Sequence, residues 1–591
     1  MPVRHNLTTA AVLFGLVGLT FILNQSALSG NWRFDDGWLL DYASRFSPVD
    51  YFFNPAITRG YSLNNLTPTN PLIFDLNLWL FGFDPQGFYI QHLATLAGCA
   101  IASYLLLRCW VTPLFAFFGA VLFLIGAPTQ FVAQQLMVGH YVSGLLFTIL
   151  ATYAFQLNLR HRHGSLTLLS TLFYVIATTC KEVYFPLPFV LLFLQGQPLS
   201  VRLRLALPML AWSAAYMFWR LAVLGSFVGG YDAGGQAFSL SKALQSYGAI
   251  PELLFATPYL PWLLSLIFIA LIVYQALLKR LNLPLLIVAP LAVLLPLLPL
   301  TQHPGITEAN RYLLLPWWLL TITLIIVLAK TEKLTIGFKS VIMLVFIVSA
   351  GSQAWQARQA LQSRVSQFDA LYEFFLQAAP AEQIFYSKEI KDAYYLDTVL
   401  NGARYAQARV SGEPGEKLAV FVDARNLTSV DTGKKSIWRY DADCQCVRNI
   451  TQQIKSAKQA KPKAPKILPV AISPPYPPLF ETGRGSLSMS MPTEQSLQIH
   501  GHSIHPPDDL EHEIVLITPQ HPQRIKAKLT PAKAESPDNY RFTLTLDYAD
   551  RNSRDLAAQQ TCLLIRSAYS PIRLLSYRQA TACRTLRSLK P

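Results

Sequence analysis

"NLTTAAVLFGLVGLTFILNQSALSGNWRFDDGWLLDYASRF", residues 6–46, couples a long apolar run to two adjacent aspartates set among aromatic residues. A hydrocarbon core of roughly 30 Å needs about 20 apolar residues in a helix, so the run reads as a membrane anchor and the aspartates as the start of an extramembrane loop. The "SALSG" that follows the run also suits a cleaved export signal. Apolar runs repeated further along favour a retained anchor.

Those runs recur to about residue 352, in a chain that is 52% hydrophobic, 14% charged and has a mean hydropathy of +0.31. This composition excludes an ordinary soluble globule. About eleven spans are expected: 8–28, 88–107, 111–127, 140–158, 166–180, 184–195, 205–224, 257–278, 283–300, 312–329 and 335–352. The fifth and sixth are short and could form one hairpin kinked at Pro186 and Pro188.

Basic residues near span ends collect on the cytoplasmic side. With the N-terminus inside, the inner segments hold Arg4, Arg108, Arg160, Arg162, Arg202, Arg204, Lys279, Arg280, Lys330, Lys333 and Lys339. An odd number of spans then places the C-terminal region outside. Residues 1–352 hold 18 Lys and Arg against 11 Asp and Glu, and the rest 31 against 23, so both parts are basic. Shared basicity argues against a nucleic-acid arm, and no nucleic-acid partner is expected. Membrane lipids are the expected surroundings, and the tail could rest on anionic headgroups.

The expected fold class is therefore a polytopic α-helical membrane protein with a C-terminal extracytoplasmic α/β plus β-rich region. Its expected parts are a transmembrane domain over 1–352, an α/β region over 353–454, a Lys/Pro-rich linker over 455–480 and a small β-rich domain over 481–591. Residues 355–380 read as a polar amphipathic helix and "KLAVFVDARN" as a buried strand. "HEIVLITP", "QRIKAKLT", "YRFTLTLDYA" and "TCLLIRSA" alternate apolar and polar residues, as in a small β-sandwich. Four tail cysteines, Cys444, Cys446, Cys562 and Cys583, are an even set on the outer side, so two disulfides are expected. Strain in a 444–446 bond favours pairing each of these two with a later cysteine.

Asp35 and Asp36 have a bland reading and a chemical one. One aspartate could cap a surface helix whose apolar face is Trp38, Leu39, Tyr42, Ala43 and Phe46. A cap needs one carboxylate, which leaves the second over. A carboxylate beside an apolar surface could take a proton from a hydroxyl or hold a divalent cation. No metal site or cofactor is expected: P-loop, dinucleotide and HExxH motifs are missing. "HGHSIHPPDDLEHE", residues 500–513, has metal-ligand residue types but reads as a solvated loop.

A family resemblance then appears. "FDDGWLL" after the first span, followed by "TNPLIFDLNLWLFGFDPQGFYIQHL" leading into the second, resembles the GT-C membrane glycosyltransferases, notably protein O-mannosyltransferases and lipid A aminoarabinose transferases. Asn70 stands where the mannosyltransferase pattern has arginine. "TTCKEVYFPLPFVLL", "YMFWRLAVLG" and "EANRYLLLPWW" are similar to later family segments, in the family's order. No tetratricopeptide repeats follow, so no acceptor carries over.

The resemblance implies a glycosyltransferase, moving a sugar from a polyprenyl-phosphate donor to an extracytoplasmic glycan, lipid or protein acceptor with inversion. By position in the acidic pair, Asp35 is preferred over Asp36 as general base. Lys181, Arg220 and Arg311, at expected outer span ends, would meet the donor phosphate; snorkelling to headgroups is their alternative. Glu182 would orient or neutralise Lys181, and His140 would contact phosphate or acceptor, or else sit at the interface. Trp32, Phe34, Trp38 and Tyr61 would stack on sugar or grip the prenyl chain, with interfacial anchoring as the alternative. Two other classes remain: a polyprenyl-linked glycan flippase and a non-enzymatic envelope assembly factor. The tail carries no evident eukaryotic module, which points to a bacterial inner membrane.

Overall fold

The computed structural model describes residues 2–62, 64–227, 239–255, 260–278, 282–302, 310–377, 383–386, 390–412, 419–421, 430–441, 444 and 446–459, and eleven strand segments between 479 and 585. The chain divides into two compact units. One comprises Met1–Gln383, Ile390–Val420 and Tyr440–Arg448; the other comprises Ile384–Glu389, Phe421–Arg439 and Asn449–Pro591.

The first unit is helical. Among the described residues, five helices are long and apolar enough to cross a membrane: Pro85–Leu107, Leu136–His161, Leu199–Leu224, Arg311–Lys330 and Ile336–Gln362. A bent pair, Pro113–Ile125 with Ala127–Ala133, angled at 59°, passes the same test taken together, as a broken span or a re-entrant loop. The bend falls at Gly126, whose backbone is extended; a Cβ there would lie 2.2 Å from the Trp317 indole. Thr9–Leu23, Gly164–Cys180, Glu182–Leu191, Pro261–Leu277 and Leu283–Leu298 are shorter apolar helices, and the eleven expected positions all fall on one or other of these segments. This is a multi-pass membrane protein. The break between the fifth and sixth segments comes at Lys181, with φ −158° and ψ 138°, ahead of the prolines expected to cause it.

Phe14, Phe218, Leu266 and Leu344 point outward, whereas Phe155, Tyr174, Leu191 and Met209 form a closed cluster inside. Lipid is as apolar as leucine, so association of such helices relies on close packing and interhelical hydrogen bonds. The bonds Trp318 Nε1 to Ser103 Oγ (2.9 Å), Thr69 Oγ1 to Thr179 Oγ1 (2.9 Å) and Tyr184 hydroxyl to the Tyr141 carbonyl (2.5 Å) serve that end. Each is worth about 0.6 kcal/mol.

The segment after the first span departs from expectation. Asp36–Arg45 is helical, but Gly37, Leu40 and Ser44 are buried along with Leu39, Tyr42 and Ala43 of the expected face, whose Trp38 and Phe46 are half-buried. It packs on Thr69–Phe81 and Ile390–Ser411. At the second crossing, a Cβ on Gly402 would lie 1.9 Å from the Gly37 carbonyl oxygen, so the two backbones meet only because position 402 lacks a side chain. The helix Ile336–Gln377 runs unbroken through residue 352 for 42 residues, about 63 Å at 1.5 Å per residue.

Cys444 and Cys446 are disulfide-bonded to each other, with Cα atoms 5.2 Å apart, which overturns the pairing with later cysteines. That separation lies within the ordinary disulfide range. Thr451–Gln459 is a helix, so the expected linker is helical at its start; residues 460–478 lie outside the described residues. The second unit contains a four-stranded antiparallel sheet in the order Leu529–Pro531, Asn539–Asp547, Ser496–Ile504, Gly485–Thr493. It also contains a seven-stranded sheet with Gln560–Ser567 between Ser570–Tyr577 and Glu513–Ile517. Residues 500–504 of the expected histidine-rich loop therefore lie in a strand; 505–512 lie outside the described residues.

Candidate active site

The acidic pair sits on a strained turn. Phe34 has φ +48°, a left-handed conformation that a bulky aromatic side chain adopts only under constraint. The turn reverses the chain so that the Arg33 backbone N–H donates to Asp36 Oδ2 at 2.7 Å. Asp36 is 0% exposed, and its Oδ1 completes no hydrogen bond. Burial pushes its carboxyl up to about 8, against the opposing pull of the Arg33 N–H and guanidinium and of the Met137 backbone.

Asp35 occupies the N-cap position of the 36–45 helix, but its side chain makes no cap bond. Neither aspartate is thus a side-chain cap. Burial raises the Asp35 carboxyl above its ordinary value while the Arg311 charge opposes the rise. The Asp35 backbone N–H donates to Met137 Sδ at 3.4 Å, seating the turn on Leu136–Val138.

Arg311 extends this site toward the other expected residues. Its guanidinium lies 5.1 Å from the Tyr312 ring, and Tyr312 meets Tyr141 edge-on at 5.9 Å. The Lys181 amine is 5.1 Å from the centre of the same Tyr141 ring and donates to Asn65 Oδ1 at 3.1 Å. His140, in ring contact with Tyr141 at 4.6 Å, interacts with both the Lys181 and Arg311 charges. The structure therefore gathers Asp35, Arg311, His140 and Lys181 at one end of the helices.

Arg220 is also buried, at 2% exposure, but it is engaged otherwise. It forms an ion pair with Glu182 and donates to the Asn64 carbonyl at 3.0 Å, while Glu182 accepts the Leu66 N–H at 2.7 Å. Tyr216 donates to the Leu66 carbonyl at 3.0 Å. Glu182 thus clamps the chain at Asn64–Leu66 with Arg220. Lys181 and Arg220 lie inside the protein, which removes snorkelling to headgroups as an account of them.

The aromatic expectations divide. Trp32 is 0% exposed, set edge-on against Phe88 at 4.7 Å and beside Phe83 at 5.4 Å, so it is core and reaches no sugar. Trp38, Tyr42 and Tyr61 form a row with successive separations of 5.1 and 5.4 Å, Tyr42 buried between the half-buried Trp38 and Tyr61. The Tyr61 hydroxyl accepts from Asn70 Nδ2 at 2.6 Å.

Sequence reasoning passed over Asn65, Asn64, Leu66 and Asp369. The first three carried no signal, since their bonds join residues more than a hundred positions apart. Asp369 sits in a polar helix that reads as tail. Among the described residues, no group of three or more His, Cys, Asp or Glu side chains is placed to hold a metal ion.

A helical membrane protein with an acid–cation cluster at one end of its spans is the class these features define. No family model matches the chain, and no curated protein does. Solved structures similar to it include two crystal structures of ArnT from Cupriavidus metallidurans. The one bound to undecaprenyl phosphate is 11% identical and covers 75% of this chain and 94% of its own, with a TM-score of 0.39. The apo form is 11% identical over 73% of this chain and 93% of its own, with a TM-score of 0.40. Overlap at that level fixes neither activity nor residue roles, which rest on the site.

Proposed function

We propose that this protein is a membrane glycosyltransferase that moves a sugar from a polyprenyl-phosphate donor to an acceptor hydroxyl on the outer face, with inversion. The observation that carries the reading is the carboxylate pair on the Phe34 turn, with Asp35 opposed by Arg311 and with His140 and Lys181 beside it. The acceptor O–H gives its proton to Asp35, the oxygen forms a bond to the anomeric carbon, and the bond from that carbon to the phosphate oxygen breaks. The electron pair leaves with the lipid phosphate. Arg311 and Lys181 offset the charge that grows there, at a site where little water competes.

Asp36 is the less suitable base. It is fully enclosed, holds its proton near neutral pH and is turned back onto Arg33, which suits it to fixing the turn. Arg220 is assigned to the clamp with Glu182, and Trp38 and Tyr61 to the flank where sugar or prenyl chain would lie. A flippase would place its working charges near the bilayer midplane, whereas the acidic pair here lies on the turn that follows the first apolar helix.

Transfer of radiolabelled sugar from polyprenyl phosphate sugars to an envelope extract tests the reading, at matched membrane levels. Asp35→Asn is expected to abolish transfer. Lys181→Met and Arg311→Met are expected to lower it with raised donor KM. Full transfer by Asp35→Asn would overturn the assignment.

A further inference from the structure

We propose that Asp369, on the polar C-terminal half of the Ile336–Gln377 helix, is a positioning residue that holds the Asp35–Asp36 turn in its working shape. The inference rests on the glycosyltransferase reading for its catalytic consequence, but its structural part stands without it.

Asp369 Oδ2 lies 3.2 Å from Arg33 Nη2, and Oδ1 takes Nη2 and Nε at 3.4 Å each. Oδ1 also accepts the Asn31 backbone N–H at 3.4 Å. One carboxylate thus grips the chain at two points just before the strained residue. The remaining Arg33 contacts complete a cage: Nη1 donates to the Gln134 carbonyl at 3.2 Å, and the guanidinium lies 5.7 Å from the Tyr89 ring centre. Arg33 is 4% exposed, and Asp369 supplies the carboxylate of its ion pair.

A left-handed phenylalanine persists only where its surroundings over-determine it. On the N-terminal side of Phe34 the grip is the Arg33–Asp369 pair; on the other side it is the Arg33 N–H to Asp36 bond. Releasing Asp369 takes from the buried guanidinium the carboxylate bonded to it, leaving the Gln134 carbonyl and the Tyr89 ring, which makes movement of Arg33 favourable and takes the bonded Asp36 with it. A shift of about 1 Å in a reacting group can lower a rate roughly a hundredfold. Asp369 touches no reacting atom and acts through Arg33.

The test uses the purified full chain: hydrogen–deuterium exchange of peptides within residues 30–46, together with sugar transfer, for wild type, Asp369→Ala, Asp369→Asn and Asp369→Glu. Expected for Asp369→Ala are several-fold faster exchange within 30–46, unchanged exchange within 139–161, and transfer lowered about tenfold to a hundredfold. Asp369→Glu is expected to restore both, and Asp369→Asn, which keeps the acceptor and loses the charge, to fall between. Unchanged exchange within 30–46 in Asp369→Ala overturns the proposal, as does faster exchange throughout, which would mean general loosening. Faster local exchange with full transfer overturns the catalytic part. If wild type transfers no sugar while the exchange pattern holds, the glycosyltransferase reading fails and the positioning of the turn stands.

Discussion

Glu182 and Asp36 are both acidic residues near one end of the same helical unit, yet they are treated differently. Glu182 accepts the Leu66 N–H and is paired with Arg220, so its charge is answered and its effect is to hold the Asn64–Leu66 segment. Asp36 is wholly enclosed, keeps one oxygen without a completed hydrogen bond, and follows a residue in a left-handed conformation. A carboxylate whose bonds are filled is structural; a buried one left partly unfilled stores free energy that only a specific role repays.

Several measurements can break that contrast or sharpen it. The largest effect belongs to Asp35, next to Asp36 on the same turn: Asp35→Asn should lower transfer by about a hundredfold to ten-thousandfold, the usual worth of a general base, at unchanged thermal stability. A matching loss in Glu182→Gln, measured in the same assay, would erase the distinction between the two sites. The clamp should instead report in stability. Arg220→Met leaves Glu182 without its partner and should cost about 3 kcal/mol, read as a lowered melting temperature in detergent.

Next comes the packing that carries the acidic helix. Gly402→Ala places a methyl against the Gly37 carbonyl oxygen and should cost about 2 kcal/mol, by forcing the 36–45 and 390–411 helices apart. Transfer should fall with it if the turn depends on that contact.

A further contrast is a pH dependence. Because the folded state raises the Asp36 pKa from 3.8 to about 8, it binds that proton more tightly than the unfolded chain does. The resulting stability is complete below 3.8 and is lost as pH climbs through about 8. Asp36→Asn removes the titration, so the melting temperature of the variant relative to wild type should rise between pH about 5 and about 9. A flat difference over that range would mean that Asp36 is ionised throughout, and that it resembles Glu182 after all.

Much of the fold was legible because apolar length is a local property. The run ending at Leu23 and those around Leu93, Leu145 and Leu324 announce helices without reference to any neighbour. The short segments on either side of Lys181 were legible as helices, but their break was not, since it follows from an extended residue and not from the prolines. Lys181, Arg220, Arg311 and the acidic pair stood out in the sequence as charges at span ends. Their partners did not. That Glu182 would answer Arg220, or that Trp32 would be core, depends on contacts between residues such as Trp32 and Phe88 whose separation in sequence carries no pattern.

The sequence by itself determined that this chain is a multi-pass membrane protein, where its apolar helices lie, and that a carboxylate pair follows the first of them. Hydrophobic length and charge placement are summed along the chain, so they can be read there. Only the tertiary structure decided which carboxylate is enclosed, which cation is committed to a clamp, and that a helix more than three hundred residues away grips the turn through Arg33 and Asp369. Those outcomes depend on desolvation and on distances of a few ångströms, and both exist only once the helices have packed.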